Sequence, residues 1–453
     1  MKIIIVGCGK VGDTLAEQLS VENHELTIID TDSARLHQVT DSLDAMGIVG
    51  DGVDHTTLME AGITEADLLI AVTGSDEKNL LCCVIARKAG HCKTIARIRN
   101  PVYNREADFL RREFGISMLI NPEYTAATEI FGIFQFPFAE KVDSFAKGQV
   151  EMFHFKIQKG SPMANKKIMA SAKEMKSNVL VCTVRRGEKV FIPNGNFVLH
   201  EGDVLSVVAH RLEAVKFFKK LNMTQNRVNN AIIAGGGKIA FYLAQLLIKA
   251  GTDVTIIEKN REKCEELSAQ IPEATIICGD ATDQKLLLEE GLDQAEGFAA
   301  LTGVDEENIL LSLYTDRVSK AKTVTVVGRS SFNSVINDMN LGSIIYPRLI
   351  TAHHILRFVR AFNPDADSEV ETLYKLSDGK AEALEFKIKS DTSFAGIPIM
   401  KLKFRPNTLI ACIYRNHKVL IPSGQDELKA GDSVLVVISG YSISSIREIF
   451  AEK

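Results

Sequence analysis

Residues 1–12 read MKIIIVGCGKVG, a β-branched run followed directly by three spaced glycines. The run Lys2–Val6 predicts a strand, and the residues after it predict a helix. In this context Gly7 makes the tight turn, Gly9 lets the backbone approach a pyrophosphate, and Gly12 lets the helix lie close to the strand. The helix N-terminus then offers free backbone N–H groups and a positive dipole to phosphate groups.

A carboxylate at the end of the next predicted strand strengthens this interpretation. Asp30 ends the strand Glu25–Asp30 and stands 18 residues after Gly12, where it can bind a ribose 2′-OH. It disfavours NADP, because a carboxylate repels a 2′-phosphate and no arginine follows it directly. It does not separate NAD(H) from ATP or ADP, all of which carry an adenosine ribose with a free 2′-OH. The pattern therefore predicts a site for one of these nucleotides.

Two further positions are expected at the same edge of the sheet. Thr73-Gly74 closes the fourth strand, and the carboxyl ends of parallel strands meet at the ligand cleft. Arg97 and Arg99 stand at the end of the fifth strand, where a guanidinium can clamp terminal phosphates. The alternative for either arginine is an ion pair with a surface carboxylate, and the sequence leaves both open.

The sequence contains an internal repeat. Identical residues recur 229 positions apart over most of its length, and 228 apart near the start. The aligned pairs include Asp51 with Asp280, Thr73 with Thr302, Asn79 with Asn308, and Gly202-Asp203 with Gly431-Asp432. One duplication with a few small insertions explains this register.

The second copy has its own glycine loop, GGGKIA, with Gly235 and Gly237 aligned to the first two glycines and Ala240 to the third. Glu258 takes the place of the ribose carboxylate, also 18 residues after the last small residue. However, Val326 stands where the first copy has Arg97, and Gly328 where it has Arg99. This difference predicts that the second site binds a different nucleotide or binds more weakly.

Each repeat divides into two parts. The first part alternates strands with helices, which predicts an α/β fold with a doubly wound parallel sheet of Rossmann type. The predicted strands are Lys2–Val6, Glu25–Asp30, Asp67–Val72 and Thr94–Ile98, with helices over 10–19, 32–43, 54–61 and 76–89. The second part has short strands with turns between them and predicts a small α+β domain. The predicted domains are residues 1–140, 141–225, 226–365 and 366–453, with links near 140–150 and 365–380.

An apolar segment connects the two parts of each repeat: TAATEIFGIFQFPF at 125–138 and RLITAHHILRFVRAF at 348–362. Both predict helices outside the sheet, whose apolar face must be buried somewhere. The helix either packs on its own small domain or crosses over to bury that face in a partner subunit, and the second alternative is favoured. The adjacent His353 and His354 lie on the second helix and are interpreted as an interface or surface pair.

Composition excludes several classes. Net charge is −5 with Lys and Arg spread along the chain, so a nucleic-acid-binding protein is not expected. No apolar run approaches the roughly 18 to 20 residues of a membrane-spanning helix, and no secretory signal precedes the first strand. The eight cysteines lack paired metal-ligand spacing, and Cys82 and Cys83 are predicted to be buried on a helix. A cytoplasmic protein with reduced thiols and no metal is expected.

No catalytic constellation stands out in the sequence. A dehydrogenase needs an acid/base and a substrate anchor beside the nicotinamide, and neither small domain offers them. A serine-nucleophile elbow, a Walker lysine loop and a paired-carboxylate cleft are also missing from the sequence. Nucleotide binding without catalysis is therefore the favoured interpretation.

The motif order resembles a known family. The glycine loop, the carboxylate, Gly-Asp, Thr–x–x–Asp-Glu–x–Asn and Ala-Arg, in that order, resemble the RCK N-terminal domain, also called TrkA-N. NVLVCTVRRGEKVFIPNG and NTLIACIYRNHKVLIPSG look like the RCK C-terminal domain. Two of each in tandem are similar to the TrkA family, the peripheral regulatory subunits of bacterial Trk potassium-uptake systems.

The resemblance implies a function and a set of partners. Such proteins form a homo-oligomeric ring, as dimers or tetramers, at the cytoplasmic face beneath a multi-span potassium channel, and they bind NAD(H) and ATP or ADP. The implied nucleotide-binding residues are Gly7, Cys8, Gly9, Lys10, Val11, Asp30, Thr73, Gly74 and Arg97, and in the second repeat Gly235, Gly236, Gly237, Lys238, Ile239 and Glu258. Small domains of the family sometimes bind a further effector such as cyclic di-AMP, which this sequence neither supports nor excludes. Alternatives are an NAD-dependent oxidoreductase, a regulator of another cation transporter, and a nucleotide-binding scaffold without a channel.

Overall fold

A computed structural model describes residues 1–22, 24–145, 150–175, 177–223, 227–328, 336, 339, 341–361, 370–376, 380–389, 394–416, 418–443 and 445–451. Half of the predicted link near 365–380 and part of the one near 140–150 lie outside these residues. The chain divides into two compact units. One comprises Met1–Phe131 with Asn229–Leu356, and the other comprises Gly132–Val228 with Arg357–Lys453.

The first unit begins with a six-stranded parallel sheet in the order β3-β2-β1-β4-β5-β6. Its strands are β1 Lys2–Val6, β2 Glu25–Asp30, β3 Ala45–Val49, β4 Leu68–Ala71, β5 Lys93–Arg97 and β6 Met118–Ile120. Its helices are α1 Lys10–Ser20, α2 Ser33–Thr40, α3 His55–Glu60, α4 Asp76–Gly90, α5 Pro101–Arg105, α6 Ala107–Phe114 and α7 Pro122–Gln135. The predicted Rossmann-type α/β fold is confirmed.

The central strands are apolar because helices cover both faces of the sheet. In β1 every residue after Lys2 is buried, and all four residues of β4 are buried. The sequence prediction missed β3 and β6 for a related reason. The strand β3 is an edge strand whose Met46 and Val49 are more than half exposed, and β6 has three residues, so neither shows a continuous buried run.

The second repeat builds the same sheet, in the order β14-β13-β12-β15-β16-β17. Elements are numbered in chain order, and β7–β11, α8 and α9 belong to the small domain that lies between the two repeats' parallel sheets in the chain. The strands are β12 Asn230–Ala234, β13 Asp253–Glu258, β14 Thr275–Cys278, β15 Gly297–Ala300, β16 Lys322–Val326 and β17 Ser343–Ile345. The helices are α10 Lys238–Lys249, α11 Arg261–Gln270, α12 Gln284–Glu289, α13 Asp305–Val318 and α14 Pro347–Ala361.

The second unit contains two small antiparallel sheets with matching strand orders, β10-β9-β11-β8-β7 and β18-β19-β22-β20-β21. The first small domain has β7 Lys141–Phe145, β8 Val150–Lys156, α8 Ile168–Met175, β9 Val179–Arg186, β10 Lys189–Phe191, β11 Val204–Ala209 and α9 Arg211–Lys220. The second has β18 Val370–Leu376, β19 Ala381–Lys387, β20 Thr408–Arg415, β21 Lys418–Leu420 and β22 Ser433–Ser439. The predicted small domains built from short strands are confirmed.

The two small sheets share a hydrophobic cluster. It joins Met152 and Val208 of the first sheet to Ala383 and Val437 of the second, and all four are fully buried. One bidentate ion pair recurs in each domain: Arg186 binds Asp203 and Arg415 binds Asp432, with both aspartates 1% exposed. The repeat is therefore preserved in polar contacts as well as in topology.

The helices α7 and α14 bury their apolar faces within the chain. Ala126, Ile130 and Phe134 of α7 are fully buried, as are Ala352 and Ile355 of α14. These faces therefore need no partner subunit to cover them, which corrects the favoured expectation of burial in a partner. In the part of the chain that the structure describes, no helix combines the length and apolar character needed to span a membrane.

Candidate functional site

Two glycines of the first loop are required by the fold itself. Gly7 has φ +98°, and a Cβ placed there would lie 3.0 Å from the backbone N and Cα of Thr73. A Cβ on Gly12 would lie 1.9 Å from the carbonyl oxygen of Gly7. These two glycines therefore bring the start of α1 against the turn after β1 and beside the end of β4.

The remaining glycine of the loop is not required by its backbone conformation or by packing within the chain. Gly9 has φ −68° and ψ −176°, which any residue adopts, and a Cβ there would meet no atom within 4 Å. It is the N-cap of α1, yet no side chain caps that helix. Gly237 repeats the arrangement at the start of α10, with φ −76°, ψ −179° and open space around its Cα. At both helices the uncapped N–H groups stay accessible to an anion because the N-cap residue has no side chain.

The carboxylate of Asp30 is hydrogen-bonded to the backbone of the first glycine loop. One oxygen accepts the backbone N–H of Cys8 at 2.7 Å and the other accepts that of Asp32 at 2.9 Å. Burial alone would raise the pKa of Asp30, but these backbone N–H groups, together with the Cys8 thiol and Arg35, hold the pKa below its ordinary value. Burial raises the pKa of the Cys8 thiol to about 12, and Asp30 adds to the rise. Asp30 is therefore a fixed carboxylate and Cys8 an unreactive thiol.

Glu258 performs the same task in the second repeat. Its carboxylate accepts the N–H of Gly236 at 2.7 Å and that of Asn260 at 2.8 Å. A Cβ on Gly236 would lie 3.0 Å from the Cβ of Glu258 and 2.7 Å from the side chain of Leu267. The longer Glu258 side chain thus uses space that the shorter Asp30 leaves to Cys8. Each loop has a carboxylate matched in length to its second residue.

A buried asparagine joins the ends of two strands. Thr73 donates its N–H and its hydroxyl to the side-chain oxygen of Asn79, at 2.8 and 2.7 Å. The side-chain nitrogen of Asn79 donates to the carbonyls of Thr73 and Arg97, at 3.3 and 2.9 Å. Asn79 is fully buried, so these bonds hold the ends of β4 and β5 together.

Asn308 makes the equivalent four bonds in the second repeat, to Thr302 and to the carbonyl of Val326. The sequence analysis used this pair of asparagines only to establish the repeat and assigned them no role. Their recurrence at a fixed offset from the Thr residue was the available signal.

The two arginines at the end of β5 have partners within the chain. The Nη2 of Arg97 donates to the carbonyl oxygen of Thr73 at 2.5 Å, and its Nε has no partner within the described structure. Arg99 pairs through Nε with Glu123 at 2.5 Å. Burial lowers the pKa of Arg97, as does the neighbouring Arg99, while Glu123 and Asp76 raise it. The guanidinium of Arg97 therefore reaches Thr73, just after β4 and beside the glycine loop, whereas Arg99 takes the ion-pair alternative.

The rim of the cleft differs in charge between the repeats. In the first, Lys78 near the start of α4 binds Asp51 at 2.6 Å. The residue aligned with Lys78 in the second repeat is Glu307, and Asp280 there accepts the N–H and hydroxyl of Thr282 instead. The exchange of a lysine for a glutamate makes the rim of the second cleft more acidic.

The second repeat contains a cleft of about 410 Å³ between its glycine loop and the ends of β13, β14 and β15. Its walls include the three loop glycines 235–237, Glu258, Lys259, Lys263, Asp280, Thr302 and Glu307. This volume is in the range of small-molecule sites. The structure thus brings Gly235, Gly236, Gly237 and Glu258 together around one cleft.

The remaining predicted residues take different positions. Lys10 and Lys238 are the first residues of α1 and α10 and are exposed. Val11 is a buried residue of α1, and Ile239 is half-buried and does not line the cleft. Gly74 is exposed, and a Cβ there would meet no atom within 4 Å. The side chain of Val11 therefore belongs to the core, and only its backbone N–H lies at the N-terminus of the helix.

One hydrogen-bonded row in the first small domain has the connectivity of a hydrolase triad. Asp143 bonds His154 Nε2 at 2.9 Å, and His154 Nδ1 lies 3.0 Å from Ser206 Oγ. However, Ser206 is 2% exposed and also accepts the hydroxyl of the fully buried Thr183 at 2.6 Å. A substrate has no access to this oxygen, and the row stabilises the sheet.

The predicted cysteines are placed as expected. Cys82 and Cys83 are buried on α4, and burial raises the pKa of Cys82 to about 12. In the described part of the chain, no group of three or more His, Cys, Asp or Glu residues is arranged to hold a metal ion.

Comparison with known proteins assigns the family. The TrkA-N domain matches residues 3–122 and 231–347, and the TrkA-C domain matches residues 152–222 and 383–451. The chain is 31% identical over 458 residues to the Trk system potassium uptake protein TrkA of Vibrio alginolyticus, covering 99% of this chain and 98% of the relative. The chain belongs to the TrkA family. The tandem order of TrkA-N and TrkA-C domains predicted from the repeat is confirmed.

Other relatives extend this result. A TrkA homolog from Archaeoglobus fulgidus, also called a Trk system potassium uptake protein, is 30% identical over 450 residues, covering 99% of this chain and all of the relative. Among solved structures, the GsuK channel bound to NAD superposes with a TM-score of 0.66 at 18% identity, covering 97% of this chain and 76% of that one. The structural likeness confirms the fold of tandem RCK domains.

Proposed function

We propose that this TrkA-family chain is a nucleotide-sensing regulatory subunit of a membrane potassium-uptake system. Each repeat binds one nucleotide at its glycine loop, and the bound nucleotide biases the conformation of the assembled subunits. The chain binds without catalysis. Its partner is a multi-span potassium channel of the Trk type, at the cytoplasmic face of the membrane, and the chain works as a homo-oligomeric ring, a dimer or a tetramer.

One observation carries the nucleotide part of this proposal. Gly9 and Gly237 are glycines that neither the backbone conformation nor packing within the chain requires. Both stand at uncapped helix N-termini, where a side chain would fill the space in front of the free N–H groups. A ligand with phosphate groups that approaches the backbone closely explains both glycines, and the chain itself does not.

The ligands proposed are NAD(H) and ATP or ADP. Asp30 and Glu258 are held by backbone N–H groups at the strand ends where a Rossmann fold binds the adenosine ribose. Gly7, Cys8, Gly9, Lys10 and Val11 would surround the phosphates in the first repeat, and Gly235, Gly236, Gly237, Lys238 and Ile239 in the second. Thr73, Gly74 and Arg97 would complete the first site. The GsuK channel, which has the same fold, was solved bound to NAD.

The regulatory part rests on the family and on linkage. The curated relatives that cover the whole chain are Trk system potassium uptake proteins. A nucleotide shifts an assembly between two states only through different affinities for them. ATP and ADP differ by one phosphate, so a group that reaches the last phosphate, such as Arg97, provides that difference in affinity.

The test is calorimetric titration of the full chain with ATP, ADP, NADH and NADPH. We expect two sites per chain for the preferred nucleotide and no binding of NADPH. Gly9→Ala removes the first site and Gly237→Ala the second, each by about tenfold or more in affinity, which is ~1.4 kcal/mol or more. Because neither new methyl group meets an atom of the chain, both variants keep the wild-type melting temperature.

The same two variants define the failure of the proposal. If both bind all nucleotides as tightly as the wild-type protein, the glycine loops are not phosphate sites. A change in absorbance at 340 nm when NADH and a carbonyl substrate are mixed with the protein would instead support the oxidoreductase alternative. Co-purification of the chain with a potassium channel, and its loss on mutation, tests the partner.

A further inference from the structure

The second repeat contains a pair of neighbouring thiols beside its nucleotide cleft. Of the eight cysteines, seven are buried and only Cys278 is exposed. Cys278 is the last residue of β14, directly opposite Glu258 in the register of the sheet. Cys264 lies on α11, which packs against β14. The one exposed thiol of the chain therefore lies beside a helix that carries a second thiol.

The two cysteines lie around one peptide group. Cys264 donates its thiol to the carbonyl oxygen of Glu258 at 3.1 Å, and Cys278 is the residue paired with Glu258 across the sheet. Burial raises the pKa of Cys264 to about 11, and the neighbouring Cys278 adds to this rise. A helix and a strand whose cysteines flank the same peptide group need only a local movement to bring the two sulfurs to the bond length of a disulfide, about 2.05 Å.

The pair is specific to the second repeat. The residues aligned with Cys264 and Cys278 in the first repeat are Leu36 and Val49. Leu36 is buried and Val49 is exposed, so the first repeat has the same pattern of burial at these positions but no thiol groups. The fold therefore does not require cysteine at either place.

The pair also touches the walls of the cleft. Lys263, next to Cys264, and Asp280, two residues after Cys278, both line it. The carbonyl of Glu258 accepts two donors, the N–H of Gly279 at 3.0 Å and the thiol of Cys264. Any change at the two sulfurs therefore acts on residues that form the ribose side of the cleft.

We propose that Cys278 and Cys264 form a reversible disulfide when the protein meets a peroxide, and that this disulfide regulates the second cleft. The thiolate of Cys278 attacks one oxygen of hydrogen peroxide, the O–O bond breaks, and hydroxide leaves, which makes Cys278 a sulfenic acid. The sulfur of Cys264 then attacks that of Cys278 and the S–O bond breaks. The departing hydroxide takes the Cys264 proton as water, so two thiols are oxidised and one peroxide is reduced to two waters.

The disulfide removes the thiol donor from Glu258 and ties α11 to β14. Since it closes a 15-residue segment, it restricts the unfolded chain and raises the melting temperature. The regulatory part of the proposal, which rests on the proposed function, is that the disulfide lowers the nucleotide affinity of the second cleft by about fivefold or more. The first cleft is unaffected.

The test uses the full reduced chain treated with one equivalent of hydrogen peroxide. We expect a mass loss of two hydrogens, a Cys264–Cys278 cross-linked peptide after digestion without reductant, and a melting temperature that rises and returns with dithiothreitol. Cys264→Leu, matched to Leu36, stops at a sulfenic acid that dimedone traps on Cys278. Cys278→Val, matched to Val49, shows neither product nor a shift in melting temperature.

Other results would overturn the proposal. Peroxide that converts Cys278 to sulfinic acid without a cross-link, or that links two chains, shows that Cys264 does not resolve the oxidised sulfur. Peptide mapping needs no nucleotide, so it separates the two claims. If the disulfide forms but neither redox form binds nucleotide in the second cleft, the proposed function fails there. If both forms bind equally, the redox regulation of the cleft is wrong.

Discussion

The first repeat closes its glycine loop with Cys8 and Asp30, whereas the second closes the same loop with Gly236 and Glu258. In both, a carboxylate oxygen accepts the N–H of the second loop residue at 2.7 Å. The backbone geometry is thus preserved while the side chains that create it have been exchanged as a pair. A residue-by-residue comparison misses this compensation, because each change alone would open or overfill the turn.

The residues beside the ends of β5 and β16 show no such compensation. The first has Arg97 beside Thr73 and Lys78 at the rim, and the second has Val326 and Glu307 at the aligned positions. Val326 is buried and offers no hydrogen-bond donor from its side chain. At these two aligned positions the second repeat therefore has a valine and a carboxylate in place of two cations, which disfavours a terminal phosphate there. The comparison shows a conserved carboxylate beside each glycine loop and divergent charges where β5 and β16 end.

The largest expected effect concerns what the two repeats share. Asn79→Ala and Asn308→Ala each leave buried backbone and hydroxyl groups without partners, so each is expected to reduce the free energy of unfolding by about 3 kcal/mol or more. Chemical denaturation monitored by circular dichroism measures this. A loss below about 1 kcal/mol in one variant alone would show that the two asparagines are not equivalent.

The second prediction tests the carboxylates. Asp30→Ala is expected to weaken every adenosine ligand at the first site by about tenfold, and Glu258→Ala to do the same at the second. The reason is that each change removes a ribose acceptor and also releases the loop N–H that the carboxylate binds. Calorimetry with NADH and ADP checks both. Unchanged NADH binding in Asp30→Ala would remove Asp30 from the site.

The third prediction, with the smallest effect, tests the divergence. Arg97→Ala is expected to weaken ATP at the first site by up to about tenfold relative to ADP, since one charge-assisted hydrogen bond is worth ~1.4 kcal/mol or somewhat more. The net contribution of Arg97 to ATP binding is smaller than that of a full hydrogen bond, because Arg97 must first give up its bond to the carbonyl of Thr73. Arg99→Ala, which loses only the ion pair with Glu123, serves as the control. Equal losses for ATP and ADP in Arg97→Ala would contradict this role.

Much of the fold followed from local patterns. The strands β1 and β2 end where the sequence predicted, because a continuous buried run and a glycine loop are both local signals. The strands β4 and β5 were predicted with slightly different ends, and the edge strands β3 and β6 were missed. Their short or half-exposed residues are stabilised by pairing with neighbours distant in the chain, which no local pattern reports.

The candidate site divides in the same way. The spacing of Gly7, Gly9, Gly12 and Asp30 was sufficient to predict a nucleotide loop, because turn geometry and strand ends repeat at fixed intervals in this fold. The sequence did not distinguish the glycines that the fold requires from Gly9, which it does not. That distinction depends on which atoms surround each Cα, and those atoms come from β4 and from the turn itself.

By itself, then, the sequence determined the duplication, the tandem order of the domains, the class of fold and the position of both glycine loops, because each is expressed in spacing along the chain. Only the tertiary structure decided that Arg99 pairs with Glu123, that α7 is covered by its own chain, that Asn79 and Asn308 join strand ends, and that Cys264 and Cys278 lie on either side of Glu258. Each of these depends on side chains that are separated in sequence and come together only when helices and strands pack. Burial and geometry then select one partner among several residues of the same chemical type, and the sequence alone does not show which.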